Sequence, residues 1–242
     1  VTPSLFGLQF YDKSMNRFIG MLENRIMMGQ KTFVVTANPE IVMHGQRDDG
    51  YMTILKSADY IVADGIGIIM ACRLIRHAIP KRITGISLMY QMLKVADQKQ
   101  FRAYFLGSSI EVMKKLLDRM NKEFASVDVA GYQTGYCFDP YTVAEEIKEK
   151  QPDIIFVALG VPKQEEWIST YFGSYKKGIF IGVGGSFDVL SGVVKRAPAL
   201  IRSLQLEWLY RLLIRSNKKN TVFNLMTFIK LTFQEFKKSL KR

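Results

Sequence analysis

The chain has 242 residues, 48% of them hydrophobic, with ordinary counts of Gly (18) and Pro (7). That is enough for one large domain with a real core, and it argues against global disorder. The 34 basic and 22 acidic side chains leave +12, but +8 of this lies in residues 199–242, so an anionic partner is expected mainly at the C-terminal end.

In chain order, a helix is predicted from Ser14 to Met28. Apolar, β-branched runs then predict strands at Thr32–Thr36, Tyr60–Ala63, Arg102–Leu106, Val127–Ala130, Ile154–Leu159 and Gly178–Gly182. Helical periodicity between them predicts helices at Pro39–Gln46, Tyr51–Lys56, Ile66–Arg76, Ile110–Phe124, Tyr141–Lys150 and Pro162–Phe172. Alternation of this kind points to an α/β fold with a Rossmann-like, mainly parallel sheet flanked by helices. The expected division is an α/β catalytic core over residues 1–197 and a helical appendage over 198–242.

The appendage carries Val222, Leu225, Met226, Ile229, Phe233, Phe236 and Leu240 at steps of three and four, among Lys218, Lys219, Lys230, Lys237, Lys238, Lys241 and Arg242. Such a basic amphipathic helix is expected to lie on an anionic membrane surface through residues 218–242, with core or oligomer packing as the alternative. A homo-oligomer is one way to cover the stripe away from the membrane. Residues 1–20 lack the pattern of a signal peptide, and no apolar run reaches the roughly 18 residues of a span. A cytoplasmic protein, with any membrane contact peripheral, is therefore expected.

Ligands of parallel α/β sheets bind outside the carboxyl ends of the strands. Those ends here read Thr36-Ala37-Asn38-Pro39-Glu40, Asp64-Gly65-Ile66-Gly67, Gly107-Ser108-Ser109, Gly160-Val161-Pro162-Lys163-Gln164-Glu165 and Gly182-Val183-Gly184-Gly185-Ser186-Phe187-Asp188. Asn38-Pro39 and Val161-Pro162 place Pro where it suits a helix start. The free N–H groups of a helix start suit phosphate. Gly184-Gly185 would admit a ligand close to the backbone, or simply make a tight turn. There is no Walker A sequence, and the third Gly of a dinucleotide fingerprint is missing.

Asp64 follows an apolar strand and precedes a Gly, so partial desolvation would raise its pKa toward that of a useful general base. An ordinary turn or cap explains the same spacing equally well, and Asp188 has the same ambiguity. No Asp-x-Asp pair follows a strand, while Cys72, Cys137, His44 and His77 have no ligand spacing. Neither a metal nor another cofactor is expected. Diphosphate charge would then fall to N–H donors and to basic residues such as Arg82, Lys195, Arg196, Arg211 and Arg215.

Read together with Phe105-Leu106-Gly107, Gly131-Tyr132-Gln133-Thr134-Gly135-Tyr136, Lys195-Arg196-Ala197-Pro198 and Leu206-Glu207-Trp208-Leu209-Tyr210-Arg211-Leu212, these motifs resemble the WecG/TagA/CpsF glycosyltransferase family over about residues 5–215. The resemblance implies an inverting, metal-independent transferase, peripheral at the inner, cytoplasmic face of the membrane. It would move N-acetylmannosamine from a UDP-sugar donor onto the 4-hydroxyl of N-acetylglucosamine on undecaprenyl diphosphate, the committing step of the teichoic acid linkage unit. By the family pattern Asp64 would be the general base. Thr36 and Asn38 would hold sugar or acceptor, Gln164 would bind nearby, and Arg82 would face the diphosphate. Gly107, Gly160, Gly184, Gly185, Asp188 and Arg196 would line the substrate site, and Arg211 and Arg215 would add charge from the appendage.

Two departures stand out. Gly85-Ile86-Ser87 puts Ser where the family usually has Asp, and Arg215-Ser216-Asn217-Lys218-Lys219-Asn220-Thr221 replaces the usual Glu-Pro-x-Arg-x-x-Arg run. A family member with another UDP-sugar donor, carrying N-acetylmannosaminuronic acid or glucose, is the nearest alternative. A nucleotide-binding oxidoreductase is allowed by the α/β pattern. A nucleic-acid-binding module is allowed by the charge, but no nucleic-acid motif appears and no nucleic-acid partner is expected.

Overall fold

The structure, a computed structural model, describes residues 2–76, 79, 81–195, 198 and 218–239, with side chains described over 224–237 of the last segment. Arg196, Arg211, Arg215 and the Ser216–Asn217 departure lie outside the described residues, as do His77 and the side chains of Val222 and Leu240.

The chain opens with a hairpin of β1 (Ser4–Leu5) and β2 (Leu8–Gln9). Phe6 and Gly7 both have positive φ, 52° and 79°, as a two-residue hairpin turn of the right twist requires. After α1 (Met15–Met27) come β3 (Lys31–Ala37), α2 (Pro39–Gly45), α3 (Asp49–Ser57), β4 (Tyr60–Ala63), α4 (Ile66–Leu74) and α5 (Gly85–Lys99). There follow β5 (Arg102–Gly107), α6 (Ile110–Glu123), β6 (Asp128–Gln133), α7 (Pro140–Lys150), β7 (Ile154–Ala158), α8 (Lys163–Phe172), β8 (Gly178–Gly182) and α9 (Ser186–Leu190). The last described element is α10 (Lys218–Ser239).

Strands β3 to β8 form one six-stranded sheet in the order β4-β3-β8-β7-β5-β6, parallel at every pairing. Residues of β7 and β8 are buried throughout, which accounts for their unbroken apolar runs. One core lies between the sheet and α2, α3, α4, α7 and α8; the other lies between the sheet and α1, α5, α6 and α9. The predicted Rossmann-like layering is therefore present.

Three differences from the predicted elements have physical reasons. The 15-residue α5 was not predicted, although Ile86, Met89, Met92, Leu93 and Ala96 bury one face at helical spacing. Edge strand β6 runs to Gln133, beyond its apolar stretch, because pairing with Leu106 of β5 carries it there. The apolar stripe of α10 does not act as one face. Phe228 and Thr232, outside the predicted stripe, are buried, while Met226, Ile229 and Phe233 are 64%, 43% and 54% exposed.

Helix α10 packs against α2 and α4. The Phe228 ring meets Phe6 edge-on at 5.9 Å, and Arg47 donates to Asn224 Oδ1 at 2.7 Å. Among the described residues no helix is long and apolar enough to cross a membrane.

Candidate active site

Strands β3 and β8 lie side by side, yet the helices that follow them cover opposite faces of the sheet. A crevice opens at the carboxyl ends of such a pair. Thr36 and Gly182 sit there, joined by a buried bond in which Thr36 Oγ1 donates to the Gly182 carbonyl at 2.7 Å. The hydroxyl oxygen keeps acceptor capacity toward a ligand. Asn38 is half-buried and caps α2, its Oδ1 accepting from Ile41 N at 3.0 Å with Pro39 at the first helical position. The expected helix start is thus built by Asn38 as well as by Pro39.

Asp64 is the next carboxyl end along. Its N–H continues the parallel ladder to Ala37 O at 2.8 Å, and its half-buried carboxylate accepts from Gly85 N at 2.9 Å through Oδ2. Gly85 is the first residue of α5, so the positive end of that helix meets the Asp64 carboxylate. The helix is capped by Thr84, whose Oγ1 accepts from Ser87 N at 3.2 Å and donates to Ser87 Oγ at 2.8 Å. The unusual Ser87 therefore works within this cap.

A Cβ on Gly85 would lie 3.2 Å from Thr36 Oγ1, 3.3 Å from Val183 O and 3.4 Å from Ser186 Oγ. Glycine at this position lets Asp64, Thr36 and the turn after β8 close around one point. Sequence reasoning did not single out Gly85, because its value rests on contacts with segments remote in the chain. Arg82 is half-buried and joins the same region, since Ile83 N bonds to Ala63 O at 2.9 Å.

Across β8 the turn is held from α8. Gln164 is only 1% exposed; its Oε1 accepts from Gly184 N at 3.0 Å and its Nε2 donates to Glu165 Oε1 at 2.6 Å. Glu165 has no exposed surface, and its Oε2 accepts from the buried Tyr51 hydroxyl at 2.8 Å. Burial pushes the Glu165 carboxyl up to about 7, against the opposing pull of the Gln164 and Tyr51 bonds. The Tyr51 hydroxyl is raised as well, by burial and by the Glu165 charge, and its ring meets His44 edge-on at 4.7 Å. His44 is half-buried.

Neither Glu165 nor Tyr51 was predicted as a site residue. The signal was present: Gln164, Glu165 and Ile168 share the buried face of α8, which puts an acid where an apolar residue belongs. Pro162 occupies the cap position of α8 rather than its first turn.

The glycines divide by role. Gly160 (φ 78°) and Gly184 (φ 53°) would point a Cβ into open space, and Gly185 is exposed. Gly107 (φ 125°) instead passes so close to β7 that a Cβ would lie 2.4 Å from Ala158 O. Beside it Ser108 Oγ donates to Asp188 Oδ1 at 3.4 Å, which ties the β5 end to α9. Lys195 is exposed. Asp48 caps α3. Among the described residues no group of three or more His, Cys, Asp or Glu converges as a metal-binding set. A separate open cleft of about 570 Å³, lined by Phe10, Tyr11, Lys56, Asp59 and Tyr60 among others, lies at the opposite, amino end of β4.

Residues 3–242 match the model of the Glycosyl transferase WecG/TagA/CpsF family, which makes this α/β protein a glycosyltransferase. The chain belongs to that family. It is 37% identical over 241 residues to an N-acetylglucosaminyldiphosphoundecaprenol N-acetyl-beta-D-mannosaminyltransferase of Bacillus spizizenii, covering 99% of this chain and 94% of the relative. Proteins of the same description from Bacillus subtilis and Staphylococcus aureus are 37% and 36% identical, covering 88% and 87% of this chain and 84% of each relative. Membership in this family decides for group transfer over the oxidoreductase alternative.

Proposed function

We propose that the chain transfers N-acetylmannosamine from UDP to the 4-hydroxyl of N-acetylglucosamine carried on undecaprenyl diphosphate, with inversion and without a metal. The acceptor oxygen forms a bond to the anomeric carbon as the bond from that carbon to the UDP oxygen breaks. The hydroxyl proton passes to Asp64, and UDP leaves with the electron pair. The observation that carries this reading is the Asp64 carboxylate, aimed by Gly85 N–H into a crevice shared with Thr36 and the open Gly184 turn. A fixed carboxylate of this kind is suited to general-base work.

In this reading Asn38, Arg82 and the amino ends of α2 and α5 meet sugar hydroxyls and phosphate charge, with Arg196, Arg211 and Arg215 as further cations. Gln164 acts from within the site wall, through the Gly184 turn. Residues 198–242 form the appendage. It lies on an anionic membrane through Met226, Ile229 and Phe233 of α10 and the exposed Lys230 and Lys237, with Met70 of α4 exposed on the neighbouring helix. The enzyme is then peripheral at the cytoplasmic face, where its lipid-linked acceptor is presented.

The test is incubation with UDP-N-acetylmannosamine, UDP-N-acetylglucosamine, UDP-glucose or UDP-N-acetylmannosaminuronic acid against a lipid-diphosphate-N-acetylglucosamine analogue, reading UDP release with and without EDTA. Release only with UDP-N-acetylmannosamine, unchanged by EDTA, is expected. Preference for another sugar replaces the donor, and loss of release in EDTA removes metal independence.

A further inference from the structure

Three hydrogen bonds run in series behind the turn after β8. Tyr51 on α3 donates to Glu165 Oε2 at 2.8 Å, Gln164 Nε2 donates to Glu165 Oε1 at 2.6 Å, and Gly184 N donates to Gln164 Oε1 at 3.0 Å. All three side chains are buried. The direction of the series matters, because an amide side chain has a donor end and an acceptor end. Glu165 Oε1 accepts from Gln164, so it takes the Nε2 end. That leaves Oε1 as the end facing Gly184 N. The opposite orientation would set Nε2–H against Gly184 N–H, donor against donor, and strand a buried polar group.

The backbone of β8 is shaped to admit this amide. A Cβ on Gly182 would lie 2.9 Å from Gln164 Nε2 and 3.2 Å from Glu165 Oε1. Gly184 itself has positive φ and open space where a Cβ would be, and the Gln164 carbonyl oxygen holds its N–H.

We propose that Glu165 is a positioning residue for the nucleotide-sugar donor: by fixing which end of the Gln164 amide faces β8, it holds the Gly184–Gly185 turn in the shape that receives the UDP diphosphate. The inference rests on the donor reading given above. Tyr51 supports it by holding Glu165 from the far side. Glu165 touches no substrate and acts only through Gln164 and the turn.

The test compares Glu165→Leu with Glu165→Gln in the full chain, using UDP as the ligand. Leu removes the acceptor for Gln164 Nε2. Gln keeps a carbonyl oxygen there, and its amide can donate to the Tyr51 oxygen. Two readouts are taken: hydrogen exchange at the Gly184 amide, and UDP affinity by calorimetry. Glu165→Leu should lose Gly184 protection and bind UDP about tenfold more weakly, a cost of about 1.4 kcal/mol. Glu165→Gln should retain both within about twofold, a rescue that a mere packing role does not require. Should Glu165→Leu fail to fold, Gly182→Ala displaces the Gln164 amide from the other side and should give the same two losses.

Equal behaviour of the Leu and Gln variants overturns the proposal. So does lost Gly184 protection with unchanged UDP affinity. Wild-type protein that binds no UDP refutes the donor reading, and the Gly184 exchange pattern then still decides whether Glu165 orders the turn.

Discussion

Replacing Glu165 by Gln turns a buried titratable group into a neutral one of the same shape, and the consequence for stability depends on pH. Burial lifts the Glu165 carboxyl from 4.5 to about 7 in the folded chain. Between those values the folded protein keeps a proton that the unfolded chain has released, so the native state loses stability as pH rises across the window. The loss is absent below about pH 4.5, complete above about pH 7, and follows a slope of about 1.4 kcal/mol per pH unit in between. It sums to about 3 kcal/mol. The Gln variant lacks this titration, and the raised Tyr51 hydroxyl stays protonated throughout the window in both proteins. Its advantage over the wild type should therefore widen from pH 5 to pH 7 and then level off. Scanning calorimetry at pH 5, 6, 7 and 8 reads this directly, at about 2–4 °C for each kcal/mol in a chain of this size. A gap that stays constant with pH, or narrows as pH rises, would refute the account of Glu165 as a buried, raised carboxyl.

Asp64→Asn should lower turnover by about 10²- to 10⁴-fold while leaving UDP affinity near that of the wild type; initial rates and calorimetry check this, and near-normal turnover in folded protein removes the base assignment. Gly107→Ala adds a Cβ 2.4 Å from Ala158 O at a φ of 125°, and should cost about 2–4 kcal/mol in thermal denaturation. Phe228→Ala empties the contact that seats α10 on α4 and β1–β2, and should speed proteolysis of α10 at a cost of up to about 3–5 kcal/mol. Changing Met226, Ile229 and Phe233 together to Ser should abolish binding to anionic liposomes with little change in melting temperature, because all three are exposed. Unchanged liposome binding contradicts the membrane reading.

Much of the fold was legible along the chain. Strands β7 and β8 in the middle of the sheet are unbroken apolar runs, because both their faces are covered, and their lengths separate them from helices. The carboxyl ends could be read as a set for the same reason: once the sheet is parallel, all its strand ends fall on one edge. Helix α5 was missed although its apolar spacing is regular and Thr84 caps its start. The outward row of α10 was only half legible. Periodicity marks apolar positions, but only the partner surfaces of α2 and α4 decide that Phe228 turns inward and Ile229 outward.

Periodicity and local turn chemistry were enough to read the layered α/β architecture, the strand ends and Asp64 among them. Spacing left Asp64 equally a turn residue and a base. Only the tertiary structure brought Gly85 of α5 to its carboxylate, set Thr36 against Gly182, and buried Glu165 between Tyr51 and Gln164. Each of these contacts joins residues of different elements across the sheet edge or the helix layer. Their geometry is fixed by how those elements pack, which no local stretch of chain encodes.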